Sequence, residues 1–160
     1  MPTLPELLDE DVQEIEKALR DFLAKSEATL ALVTAEGGFL VIKEGAADAF
    51  DCVTLGALSS NAFSASQAIA GLIEEPNLTQ VYQQGERFSL LTSSVDHYNT
   101  LVVVFPAQVS VGAVKFYIGP AVAIIAAQLR KAQRRASNKG IDLALLNVSD
   151  STELFRRKSA

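Results

Sequence analysis

His97 is the only histidine in this 160-residue chain and Cys52 the only cysteine. One imidazole and one thiol cannot make a usual zinc site, so no metal is expected. None of the serines stands in a Gly-x-Ser-x-Gly elbow, the strained turn that presents a nucleophilic hydroxyl. His97 is flanked by Asp96, Tyr98 and Asn99, polar residues of the kind that close hairpin turns, and it reads as part of a turn rather than as a general base. Cys52 falls in the first turn of an expected helix, where the dipole could lower a thiol pKa, but without a resolving partner it reads as a small packing residue. Neither a P-loop nor a dinucleotide fingerprint occurs, so the chain is not itself a GTPase and no cofactor is expected. Arg87 could in principle serve as a finger for a partner's GTP, a role worth about 10³ to 10⁵ in rate. In the short connection Gly85-Glu86-Arg87 it reads more simply as a solvated charge.

The informative feature is an absence of charge. From Cys52 to Ile73 the chain runs CVTLGALSSNAFSASQAIAGLI without one Asp, Glu, Lys or Arg, where about a quarter of the residues in an ordinary soluble domain carry charge. Leu55, Leu58, Ala62, Ala65, Ile69 and Leu72 recur at spacings of three and four, the stripe that an amphipathic helix turns toward a core. Asp51 stands at the N-cap position. The remaining faces carry Ser59, Ser60, Phe63, Ser64, Ser66, Gln67, Ala70 and Gly71, small or uncharged side chains that suit close approach by another surface. The polar groups are too many for a lone membrane helix, and no membrane span is expected here. A domain of this length rarely encloses a whole helix, so an intersubunit and partner-binding helix is the better expectation.

Other elements must position that helix. Net charge is -5 and the pI about 4.9, which argues against a general nucleic-acid footprint. The N-terminus lacks the basic and apolar regions of a secretory signal, so a cytoplasmic protein is expected. Val12, Ile15, Leu19, Phe22 and Leu23 keep helical spacing after Asp11, with Glu14 placed for a capping box. Residues 29–35 and 39–43 read as a β-hairpin turning at Glu36-Gly37-Gly38. After the uncharged helix, residues 78–84, 88–95 and 100–105 read as three sequential antiparallel strands. Val111, Val114, Ile118, Val122, Ile125 and Leu129 keep one helical phase, capped at Ser110, so a long third helix is expected, kinked or broken near Gly119-Pro120. Arg130, Lys131, Arg134 and Arg135 suit its C-terminal dipole, and Asn138 to Gly140 supplies the stop. The domain division is a lead over 1–10, one domain over 11–138, and a tail over 139–160 whose apolar residues would dock on the domain or on a partner.

The stretches FLVIKEG, TLGALSSNAFSASQAIAGLI, YQQGERFSLL, LVVVFP and SVGAVKFY together resemble the roadblock/dynein light chain family, and within it the bacterial gliding-motility regulators. The resemblance covers roughly Val12 to Leu129. It implies an α/β (α+β) fold, an αββαβββα sandwich with a five-stranded antiparallel sheet between helices, and a homodimer formed through the second helix and third strand. The expected dimer residues are Leu58, Ala62, Leu78, Gln80, Tyr82 and Gln84. It further implies a small Ras-like GTPase as partner, bound on the paired helices by Ser60, Phe63, Ser64, Gln67 and Gly71. GTP hydrolysis would then be stimulated by arranging the GTPase's own residues, and the regulator would have no catalytic residues. A noncatalytic roadblock scaffold or adaptor is the alternative. A small-ligand sensor is a third class, for which the sequence offers no convergent polar cluster.

Overall fold

In the computed structural model, residues 4–156 are described, with side chains as far as Lys139. The elements are α1 (Asp9–Ser26), β1 (Leu30–Thr34), β2 (Leu40–Gly45), α2 (Cys52–Leu72), β3 (Gln80–Gln83), β4 (Phe88–Ser94), β5 (Thr100–Pro106) and α3 (Val111–Arg156). This is the αββαβββα order expected from the sequence. The strands form one antiparallel sheet in the order β2-β1-β5-β4-β3, so the long crossover through α2 leaves β3 at one edge and β2 at the other.

The central strands β1 and β5 read as continuous apolar runs because both of their faces are covered. Ala31, Val33, Leu101, Val103 and Phe105 point to one side, where they meet Ile15, Leu19 and Phe22 of α1 and Val114, Ile118, Ile125 and Leu129 of α3. Leu30, Leu32, Val102 and Val104 point to the other, toward Cys52, with Phe50 and Leu55 packed against them. The β1–β2 connection turns through a short 3-10 helix, Glu36–Gly38, in which Gly37 and Gly38 have φ of 80° and 82°. At Gly38 a Cβ would lie 2.6 Å from Ala57 Cα, so only glycine lets this turn close on α2.

The strand limits shift only slightly from those expected, β3 being the shortest at Gln80–Gln83. Two helix boundaries differ more. α1 begins at Asp9, and Asp11 is its third residue rather than its cap. The Asp11 carboxylate accepts a hydrogen bond from Leu8 N (2.8 Å), the reach-back half of a capping box. It also accepts from Gln128 Nε2 at 2.6 Å and pairs with Arg135, clamping α1 to α3. Burial alone would raise the Asp11 pKa, but hydrogen bonds from Arg135, Leu8 and Gln128, with the Arg135 charge, bring it below its ordinary value.

α3 does not break at Pro120 and does not stop at Asn138 to Gly140; it runs unbroken from Val111 to Arg156. Pro120 and Phe116 are both on the exposed side, so the Phe116 carbonyl that lacks a helical donor there can be hydrated. Gly140 costs about 1 kcal/mol in a helix interior, a penalty outweighed by the good helix formers Leu143 to Leu146 after it. α3 is long and apolar enough to cross a membrane by length and composition, but Val114, Ile118, Ala121, Ile125 and Leu129 are apolar because they fill the core. The docking expected of the tail concerns side chains outside the described residues.

Candidate functional site

α2 is 21 residues long, about 31 Å at the rise of an α-helix. Asp51 caps it, accepting from Thr54 N at 3.1 Å. Hydrogen bonds from the Thr54 side chain and backbone hold the Asp51 carboxyl below its ordinary pKa. The helix is inverted relative to the sequence expectation. Its buried residues are Cys52, Gly56, Ser59, Ser60, Phe63 and Ala70. The stripe assigned to the core faces outward: Leu58 is 64% exposed, Ile69 60% and Leu72 85%. Only Leu55 of that stripe packs on the inner cluster.

Close approach to the sheet explains the inversion. A Cβ on Gly56 would stand 3.0 Å from Thr34 Cγ2, so the backbone of α2 lies nearly on β1. Where the two cross there is room for hydroxyls rather than leucines, and Phe63 is accommodated further along the helix. Thr34 Oγ1 shares hydrogen bonds with Ser60 Oγ (2.8 Å) and Thr100 Oγ1 (2.6 Å), which satisfies three buried or half-buried hydroxyls together. Cys52 donates its thiol to Ala47 O at 3.3 Å and packs against the inner cluster.

The five residues expected to meet a partner therefore divide. Ser60 and Phe63 are buried beneath α2 and cannot lie on its outer face as placed. Ser64, Gln67 and Gly71 are exposed, and Ser64 Oγ bonds back to Ser60 O at 3.1 Å. Of the expected dimer residues, Leu58, Ala62, Tyr82 and Gln84 are exposed and Leu78 and Gln80 half-buried. Sequence reasoning did not single out Val53 and Ile73, which are 65% and 73% exposed. The signal that could have oriented the helix was the glycine and serine at Gly56, Ser59 and Ser60, in phase with Phe63 and Ala70.

β3 adds a second feature. Among the described residues its outer edge has no neighbouring strand, and Gln80, Val81, Tyr82 and Gln83 carry no charge, proline or bulge that would discourage another strand. Tyr82 stacks on Phe105 with ring centroids 6.1 Å apart, which fixes the strand's facing. The opposite edge is guarded, since β2 presents Lys43 and Glu44, the latter paired with Arg20 of α1 at 2.8 Å. Arg87 sits exposed between β3 and β4 with its guanidinium 6.0 Å above the Phe88 ring. His97 lies in the β4–β5 turn, closed by Asp96 Oδ1 accepting from Tyr98 N and Asn99 N at 2.8 Å each. Among the described residues no group of His, Cys, Asp and Glu is arranged to hold a metal ion. What the arrangement offers is an uncharged, largely apolar helix face and a strand edge open to pairing.

No protein-family model and no curated protein matches the sequence. Solved structures do. An MglB described in a tetrameric arrangement aligns with a TM-score of 0.76 and 25% identity, over 82% of this chain and 99% of that one. The gliding protein MglB from Thermus thermophilus aligns at 0.74 and 25%, over the same shares. A roadblock/LC7 domain from Streptomyces avermitilis aligns at 0.64 over 72% of this chain and 97% of that one, at 16% identity a likeness of fold alone. The chain has the roadblock/LC7 fold, and MglB proteins are among the solved structures it resembles across 82% of its length.

Proposed function

We propose that the protein is a homodimeric regulator that binds a small Ras-like GTPase and stimulates GTP hydrolysis, contributing no catalytic group of its own. The observation that carries this reading is the outward face of α2, where Leu58, Ile69 and Leu72 stand exposed on a helix without charge. Contiguous apolar surface of this kind marks an interaction site. The unguarded β3 edge supports a dimer in which two sheets join and two α2 helices lie side by side. At 3.6 residues per turn, Leu58, Ala62 and Ile69 share one flank of α2 while Ser64 and Gly71 share the other. One flank can thus meet the second copy and the other the GTPase. Two such helices at an axis spacing of about 9 Å offer several hundred Å², near one partner's share of a standard interface. Ser60 and Phe63 serve from beneath, setting the height and pitch of the platform. The MglB from Thermus thermophilus is described as a gliding protein, which supports an expected role in motility or polarity.

Single-turnover GTP hydrolysis by a Ras-like GTPase from the same organism, with this protein titrated to excess, tests the reading. Acceleration that saturates at two regulator chains per GTPase supports it. Binding without acceleration would replace it with the scaffold or adaptor reading, and absence of binding would remove the GTPase altogether.

A further inference from the structure

A cavity of about 640 Å³ lies at the end of the sheet where the β1–β2 and β4–β5 connections meet, with no α2 residue in its walls. Its size falls in the range of roughly 300 to 1,000 Å³ typical of small-molecule sites. Four separated segments wall it: Leu4 of the N-terminal lead, Phe39 of the β1–β2 connection, Tyr98 of the β4–β5 turn, and Leu129, Arg130 and Gln133 of α3. The walls are mainly apolar, and Phe39 and Tyr98, at 74% and 45% exposed, are aromatic surfaces left uncovered.

The charges around it are unequal in reach. Asp96 turns its carboxylate into the loop, onto the Tyr98 and Asn99 N–H groups and Asn99 Nδ2. Glu36 is exposed at the turn between the hairpin strands. Arg130 has no carboxylate within ion-pairing distance among the described residues. It also borders a second hollow of α3, lined by Lys131 and Arg134, so a positive field continues from the mouth of the cavity along the helix.

We propose that this cavity binds an amphiphilic anion, its apolar body held among Leu4, Phe39, Tyr98 and Leu129 and its carboxylate on Arg130. A charge-assisted hydrogen bond contributes about 1.5–3 kcal/mol, a discrimination of about tenfold to a hundredfold in affinity over an uncharged head. The site is separate from the GTPase reading and stands or falls without it.

Calorimetric titration of the full chain with dodecanoate provides the test. The expected result is saturable binding of one dodecanoate per chain, about tenfold or more weaker for dodecanol and dodecyltrimethylammonium. Arg130→Glu should weaken dodecanoate binding by at least about tenfold. Gln133→Trp, at an exposed helix position that leaves the fold in place, should fill the cavity and abolish binding. Ile69→Ser on α2 should leave it unchanged, which separates the cavity from nonspecific adsorption on the other apolar surface. Equal affinity for the cationic amphiphile, no binding of dodecanoate, or binding lost in Ile69→Ser and kept in Gln133→Trp would each overturn the assignment.

Discussion

The two faces of the sheet are covered by opposite chemistries. On the α1/α3 side, large apolar side chains from two helices interdigitate with those of β1 and β5, and Ile15, Leu19, Leu101, Phe105, Val114 and Ile125 are fully buried. On the α2 side one helix approaches on glycine and hydroxyls, through Gly56, Ser59 and Ser60, buries Phe63 beside them, and turns Leu58, Ile69 and Leu72 outward. The first arrangement commits hydrophobic surface to the fold. The second withholds it, leaving Leu58, Ile69 and Leu72 for an encounter with another molecule. A helix that used its leucines against its own sheet would be more stable and would present nothing.

The contrast breaks most readily on the sealed side. Phe22, 2% exposed in the α1/α3 core, should lose about 3–5 kcal/mol of stability on substitution by Ala, from transfer and cavity together. Leu58→Ala, on the outer face of α2, should cost less than about 0.5 kcal/mol in the isolated chain. Urea unfolding of both variants at high dilution measures the difference. Equal losses would mean that the two faces are not energetically distinct.

Asp11 sharpens the same side electrostatically. It is fully buried while its partner Arg135 keeps 28% exposure, so Asp11→Ala should cost about 3 kcal/mol, the lower end for breaking a buried pair. Its folded pKa lies below the ordinary carboxylate value. The stability it contributes is therefore fully present above the unfolded value near pH 4 and is lost as pH falls through the folded value. Unfolding followed across the acid limb should be steeper in the parent chain than in Asp11→Asn. An identical acid limb in the two would show that Asp11 is not the titrating clamp.

Most of the fold was legible because its signals are local. Glycines in the β1–β2 turn, alternating or continuous apolar strands and the capping Asp51 each set an element by short-range chemistry. The resemblance added that all five strands belong to one antiparallel sheet, while their order β2-β1-β5-β4-β3 came from the structure. The rest depended on tertiary context. The run of good helix formers from Leu143 to Leu146 outweighed Gly140 as a stop signal, and Pro120 lies where its lost bond faces water. The facing of α2 was misjudged because periodicity finds an apolar stripe but not which neighbour it meets. That depends on how close the sheet stands, and Gly56 over Thr34 decides it. Within the candidate site, Ser60 and Phe63, expected on the outer face of α2, lie beneath it. The cavity beside Arg130 could not be read at all, since its walls are brought together from four distant parts of the chain.

On the α2 side itself the effects become smaller. Ser60→Ala removes one hydroxyl from the group shared with Thr34 and Thr100. Thr34 keeps its bond to Thr100 at 2.6 Å, so the expected cost is about 1 kcal/mol by thermal unfolding. A loss as large as that of Phe22→Ala would mean that the hydroxyl layer, rather than the apolar core, holds the sheet together.

Ser64→Arg should have the smallest effect on the fold. Ser64 is exposed, and its hydroxyl bonds back to the carbonyl one turn earlier on the same helix, at 3.1 Å. Arg is also the better helix former, so stability should stay within about 0.5 kcal/mol, and the proposed dimer, which would rest on the opposite flank, should persist by analytical ultracentrifugation. Yet a charged, branched head on an uncharged face must either be buried unpaired or hold the partner away, and GTPase binding should be lost. Unaltered affinity in this variant would remove the Ser64 flank from the proposed contact surface. A variant nearly silent in stability and complete in its effect on binding is what separates a surface kept for a partner from one that merely failed to fold inward.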